Sequence, residues 1–275
     1  MTYSTPLPWP PDADAAAARF LTRHYGSARA DLDVDFCATP RASVVTGLLA
    51  LCLQQTDGRN IDAATLWEWG VAARLQGLLA IAHATTGPIT TAVATCNHAD
   101  CGERIELELA LENFALTAGE SINWRTPLQQ QASIRLPTGS DQLAWYAHSR
   151  DRRGVDAAWL ARRLIMRLDA TVPAAGWQLP AAWLAPLGAA LDSADPLTAL
   201  NITAHCPACD AQFEVEVDLE YLLLEDLRRQ QRTLLDDIHQ IAGSYHWSEA
   251  DILALPSWRR AGYLSRIHAQ SRAHS

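Results

Sequence analysis

Apolar and polar residues alternate with period two in two separate stretches of the chain. In the first, Ile105, Leu107, Leu109 and Leu111 share one face, and Glu106, Glu108 and Glu112 share the other. In the second, Phe213, Val215, Val217 and Leu219 oppose Glu214, Glu216, Asp218 and Glu220. Such alternation predicts strands with one face buried and one wet. Each stretch follows an extended segment and a close pair of cysteines, Cys96 and Cys101 in the first, Cys206 and Cys209 in the second. One unit of strand, cysteine pair and strand therefore occurs twice, over Ile89–Leu111 and Leu197–Leu219.

Elsewhere the period is helical. Val44, Val45, Leu48, Leu49, Leu51 and Cys52 predict a helix over 42–55, and Leu66, Trp67, Val71, Leu75, Leu78, Leu79 and Ala82 predict one from Asp62 to a stop at Gly87-Pro88. Before these, prolines at 6, 8, 10 and 11 mark an irregular arm, and Asp12 or Asp14 can cap an alanine-rich helix through Tyr25. Between the two cysteine units, Gln130–Leu136 reads as a weak strand. Asp141 can cap a helix carrying Leu143, Trp145 and Tyr146, and a second helix runs from Asp156 to Asp169. From Glu220 onward Leu224, Leu227, Gln231, Leu234, Ile238, Ile241 and Tyr245 form a heptad-like seam with one polar position, best read as packing on the chain's own last helices. Ser248 with Asp251 three residues on is a capping-box-like start, and Pro256 suits the next first turn.

These patterns predict an α+β fold: a small antiparallel sheet built from two zinc-ribbon-like cysteine hairpins, with N-terminal, inserted and C-terminal helices. The expected divisions are 1–87, 88–220 with a helical insert at about 141–195, and 221–275.

Two thiols at the tip of a hairpin are half of a tetrahedral four-cysteine site. Cys96, Cys101, Cys206 and Cys209 are accordingly the candidate ligands of one structural zinc ion, with His98 an alternative ligand in the longer Cys96–Cys101 loop. The competing interpretation is two unrelated reduced cysteine pairs. A catalytic zinc keeps a position open for water beside a general base. A redox pair wants a helix starting at its first thiol, whereas a strand follows each pair here.

Composition narrows the functional classes. Nearly half of the 275 residues are apolar and a fifth charged, which is globular. The formal charge of −9 argues against a general nucleic-acid binder, because neutralising phosphates needs a basic surplus. No long apolar run suggests a membrane span, and the start lacks a secretory pattern, so the six cysteines fit a reducing cytoplasm. Cys37 and Cys52 have no close partner and read as small apolar residues. Arg150, Arg152 and Arg153 form a basic spot, and the C-terminal end carries Arg259, Arg260, Arg266 and Arg272 with no acid after Asp251. No nucleophile–base pair, phosphate loop or dinucleotide fingerprint is found.

The run Tyr245-His-Trp-Ser-Glu-Ala-Asp-Ile-Leu-Ala-Leu-Pro-Ser-Trp-Arg-Arg-Ala-Gly-Tyr-Leu264 resembles the C-terminal motif of baseplate proteins of T-even-type phages and related contractile injection systems. There an aromatic-x-Trp-Ser-Glu-x-x-Ile-Leu-x-Leu run precedes an arginine-rich helix ending in Tyr-Leu. The two cysteine pairs with an Arg-Leu-Pro-Thr-Gly-x-Asp turn between them, here Arg135 to Asp141, resemble other parts of the same group. The wide Cys96–Cys101 spacing departs from it. The likeness spans Ile89 to the C-terminus and leaves the first eighty or so residues unmatched. It implies a non-enzymatic, cytoplasmic assembly protein, chaperone-like, that binds a baseplate or hub protein. The surface expected to do so is Tyr245, Trp247, Trp258, Arg259, Arg260 and Tyr263, since aromatic and arginine side chains dominate interface energetics. The alternative function is a zinc-ribbon module that binds nucleic acid; a zinc hydrolase is a third reading.

Overall fold

The structure is a computed structural model, and it describes residues 7–11, 19–115, 119–151 and 156–273. It is mixed α+β, with several small antiparallel sheets distributed among helices.

Among the described residues the chain opens with a three-stranded sheet, whose first strand lies where an irregular arm was expected. Strands β1 (Leu7–Trp9), β2 (Phe20–Thr22) and β3 (Leu53–Gln54) pair in the order β1-β2-β3, with helices α1 (Arg29–Leu32) and α2 (Arg41–Cys52) lying between β2 and β3 in sequence. The helix expected to run through Tyr25 is therefore corrected. Phe20 and Thr22 are buried by pairing with both neighbours, a long-range gain that outweighs local helical preference. Its expected start, Asp12 and Asp14, lies outside the described residues. Trp9 is buried, and its indole N–H donates to Gln76 Oε1 at 2.8 Å.

The helix expected from Asp62 to Gly87 is two helices, α3 (Ala63–Glu68) and α4 (Val71–Thr86). Asp62 caps α3 by accepting the Thr65 N–H at 2.9 Å. The break at Trp69-Gly70 comes from a partner remote in sequence. The Val71 N–H donates to Pro137 O at 2.9 Å, and the Gly139 N–H donates to Trp69 O at 3.1 Å, so the backbone groups are satisfied by a turn instead of a helical ladder. Helix α2 crosses α4 at Gly77, where a Cβ would lie 2.5 Å from Leu49 Cδ2. Around this crossing Leu48, Leu49, Leu78, Leu79 and Ile81 build the main core.

The two alternating stretches fold as antiparallel hairpins. The first is β4 (Ile89–Thr95) with β5 (Arg104–Ala110). In β5, Ile105 and Leu109 are buried and Glu106 and Glu108 exposed, as the alternation requires.

An insert follows. Strands β6 (Ser121–Arg125) and β7 (Gln131–Arg135) precede helices α5 (Gly139–Asp151) and α6 (Ala157–Leu164), then β8 (Ile165–Leu168) and α7 (Leu184–Ala194). The sheet order is β6-β7-β8. The insert is thus wider than the helical one expected and contains a sheet of its own. Helix α6 ends early because Ile165 and Leu168 turn inward as strand residues paired with β7. Its separate core joins Trp124, Ile134, Leu164, Trp183 and Leu187, with the Trp124 and Trp183 rings edge to face at 5.8 Å. Arg152 and Arg153 of the basic spot lie outside the described residues.

The second hairpin is β9 (Asn201–His205) with β10 (Gln212–Glu216). Helices α8 (Leu219–Tyr245), α9 (Glu249–Leu253) and α10 (Ser257–Ala273) complete the chain. The seam of α8 is used within the chain: Leu224 and Leu227 enter the main core, and Leu234, Ile238 and Ile241 pack on Ile252 and Leu253. At its polar position, the Gln231 side chain donates to the carbonyls of Leu32 and Val34 at 3.1 and 3.0 Å. Among the described residues no helix is long and apolar enough to cross a membrane.

A candidate four-cysteine metal centre

The hairpins carry the cysteines, but the single sheet expected from the sequence is corrected: they do not join edge to edge. Each is a separate two-stranded sheet, and they pack through their apolar faces. Ala94 and Ile105 of one meet Ala204 and Phe213 of the other, and farther along Ala92 and Leu109 meet Val217. Facing the apolar sides inward leaves Glu106, Glu108, Glu214 and Glu216 in water, and it brings the two tips together.

At those tips the sulfurs of Cys96, Cys101, Cys206 and Cys209 all lie within 4.8 Å of one another. The pairing is crossed: the first cysteine of each pair meets the second of the other. Cys96 Sγ is 3.7 Å from Cys209 Sγ, and Cys101 Sγ is 3.7 Å from Cys206 Sγ. Four thiolates around one cation at about 2.3 Å stand about 3.8 Å apart along each edge of the tetrahedron. The two 3.7 Å separations match such an edge, and all four sulfurs stay within 4.8 Å of one another. The contacts are far longer than the ~2 Å of a disulfide, which is compatible with a metal site.

Local backbone geometry explains how different loops converge. Each sulfur accepts an N–H from the residue two positions on: His98 for Cys96, Glu103 for Cys101, Ala208 for Cys206 and Ala211 for Cys209. The chain reverses after each second cysteine through a left-handed residue, Gly102 at φ +63° and Asp210 at φ +59°. Both loops thus wrap amides around sulfur, and the two extra residues of the first are absorbed before Cys101, where Asp100 is also left-handed. The wide spacing leaves this convergence intact.

N–H donors aimed at sulfur favour the thiolate, the form a metal binds, but at Cys96, Cys101 and Cys209 burial and neighbouring thiols outweigh them and raise the pKa. At Cys206 burial opposes ionisation, but the N–H groups of Ala208 and Cys209 and the thiols of Cys101 and Cys209 prevail, bringing its pKa down to about 7. His98 is exposed and its ring is not part of the group; it serves through its backbone, whose carbonyl accepts the Cys101 N–H at 3.2 Å. Four thiols already complete a tetrahedral set. The other two cysteines are separate: Cys52 is buried in the main core and Cys37 is exposed.

The residues expected to form a partner surface divide into two groups. Tyr245, Trp247 and Tyr263 pack on one another, with ring centroids 4.9 to 5.3 Å apart, and fasten α10 to the end of α8. Arg260 is half-buried and donates to Leu255 O at 2.9 Å. Only Trp258, 74 % exposed, and Arg259 project into solvent. The helical spacing of those six aromatic and arginine residues could not separate inward from outward positions until the α8–α10 contact was known.

Sequence reasoning passed over a cluster in the Arg135–Asp141 turn. Arg135 forms a two-point ion pair with Asp141, whose other acceptances include the Thr138 N–H at 3.0 Å. Thr138, not Asp141, heads α5, taking the Asp141 N–H on its hydroxyl at 3.4 Å. The signal was Thr-x-x-Asp, the reciprocal capping pattern. Arg74, fully buried, lies against Gly139 and donates to the carbonyls of Leu66 and Ala42 at 2.7 and 2.8 Å.

No protein-family model matches this chain, and neither the curated proteins nor the solved structures contain a match to it.

Proposed function

We propose that the four thiolates hold one structural zinc ion and that the chain is a non-enzymatic assembly protein, chaperone-like, for the baseplate of a phage tail or contractile injection system. For the metal, the supporting observation is the pair of 3.7 Å sulfur contacts between two hairpins more than a hundred residues apart in sequence. Zinc has no geometric preference of its own and accepts a closed thiolate tetrahedron, which leaves no position for substrate. The ion's role here is to hold two short hairpins in one orientation.

For the assembly role, the observation that carries the reading is Trp258 standing in solvent beside Arg259 on a helix held rigid from behind by the aromatic trio. A fixed, exposed tryptophan with an arginine neighbour is a binding anchor that loses little entropy on docking. The partner is a baseplate or hub protein, and the setting is the cytoplasm where such particles are built. The experiment is co-purification with the separately expressed baseplate and hub proteins of the same gene cluster. Trp258→Ala and Arg259→Ala should abolish capture while leaving the fold intact; undiminished capture by both refutes this surface. The nucleic-acid alternative draws on the same arginine-rich helix and is opposed by the acidic outer faces of both hairpins. Nucleic-acid binding that survives physiological salt would favour it.

A further inference from the structure

The two hairpins expose four strand edges, and one differs from the rest. Hydrogen bonds from Cys96 N–H to Glu103 O and from Leu111 N–H to Pro88 O fix the ladder between β4 and β5. Even-numbered residues of β4 therefore bond to β5, and the N–H and C=O groups of Ile89, Thr91, Val93 and Thr95 face the other way. Among the described residues no strand pairs with that side. At its beginning the Thr90 hydroxyl donates to Asp226 of α8, and a groove of about 410 Å³ beside that contact is lined by Ile89 and Thr91 on one side and Arg229, Gln230 and Thr233 on the other.

Exposed edges are normally protected by charge. By the same ladder rule the free edge of β5 carries Glu106 and Glu108, and that of β10 carries Glu214 and Glu216. The edge of β9 carries Asn201, Thr203 and His205. The edge of β4 is wholly β-branched and uncharged, with Ile89 51 % and Val93 49 % exposed.

We infer that this edge pairs with the same edge of a second copy, antiparallel across a two-fold axis at Thr91. Charge rules out β5 and β10, which would set glutamates against glutamates in a chain already at −9. On the β9 edge the Thr203 hydroxyl is engaged by Glu214 and His205 by Asp210, whereas β4 meets itself with neither charge nor engaged side chains. The register selects Thr91. Thr91 then opposes Thr91 of the second copy, while Ile89 and Val93 oppose each other twice, and every pair is of a kind that stabilises sheets. The groups meeting at the axis are the outward-facing ones, so the pairing closes a symmetric four-stranded sheet from two hairpins that are marginal alone.

The test is a charge swap at the axis, read by sedimentation and light scattering on the full-length, metal-loaded protein. Wild type should form dimers as concentration rises. Thr91→Glu and Thr91→Lys, each alone, should weaken self-association about tenfold or more, because like charges then face directly. Mixing the two variants should restore a mixed dimer. Amide exchange at Ile89, Thr91 and Val93 should slow on dimerisation while the α10 amides are unaffected. A wild type monomeric at every concentration overturns the inference. So do dimers indifferent to both variants, or a mixture that fails to recover. Thr91→Lys guards against a folding artefact, since its charge lies opposite Glu108 within its own hairpin.

Discussion

A Cβ on Gly139 would sit 2.6 Å from Nη1 of Arg74. The arginine cannot retreat. Its guanidinium donates to Leu66 O, Ala42 O and the Thr46 hydroxyl and lies over the Trp67 ring, inside a site that pulls its pKa down to about 10 through burial. Glycine here is a matter of space, not of backbone freedom. Gly139→Ala should destabilise the protein by about 2 kcal/mol through overpacking and broken hydrogen bonds. Denaturant unfolding measures it, and an unchanged midpoint would show that Arg74 moves aside freely.

The Arg135–Asp141 pair gives the acid limb of stability. Burial alone would raise the Asp141 carboxyl, but Arg135 and the Thr138 N–H hold it below the usual carboxylate range. A depressed folded-state pKa adds stability above the unfolded value of about 3.9, lost as pH falls through the folded value. Asp141→Asn should therefore cost about 3 kcal/mol at neutral pH and progressively less in acid. A cost independent of pH would locate the effect in packing instead.

Asp195 should behave in the opposite sense. It is buried, its Oδ1 has no hydrogen-bond partner, and burial raises its pKa despite N–H groups from Leu197 and Thr198. A raised carboxyl pKa is a cost that appears as pH climbs from the unfolded value through the folded one. Asp195→Asn should gain about 1 kcal/mol at neutral pH and nothing in strong acid. Thermal melts at both pH values decide it.

Trp247 and Trp258 should separate cleanly. Trp247→Ala removes a ring stacked on Tyr245 and set edge to face with Tyr263, and should cost about 2 kcal/mol, less than a fully buried tryptophan. Trp258→Ala should leave thermal stability within about 0.5 kcal/mol. Equal losses in the two would mean that α10 is not anchored as described.

The proposed zinc staple predicts a selective loosening of one region when it is removed. Chelation or Cys209→Ser should raise amide exchange through β4, β5, β9 and β10 and leave α2 and α4 protected, because the main core draws on neither hairpin tip. Uniform loss of protection would contradict a local staple.

What could be read from the sequence was what depends on nearby residues. Alternation set the inward faces of β5 and β10, and the cysteine spacing marked the tips, since both are properties of a few consecutive positions. The seam of α8 was legible for the same reason. What escaped was decided by contacts remote in sequence. Trp69-Gly70 breaks a helix only because Pro137 and Gly139 arrive to take its backbone groups. Phe20–Thr22 and Ile165–Leu168 are strands because neighbours offer a ladder. The aromatic residues near the C-terminus carried the right chemistry, but their division into anchors and an exposed tip needed the packing of α10.

The crossed sulfur contacts also order events during synthesis. Cys96 leaves the ribosome 113 residues ahead of Cys209, so the first knuckle waits half-made while the whole insert emerges and folds around its own tryptophans. Convergence of the four thiols therefore comes late in synthesis. The segment between the knuckles is no free spacer, because Pro137 and Gly139 within it take the backbone groups of Trp69 and Val71, and Gly139 lies against buried Arg74.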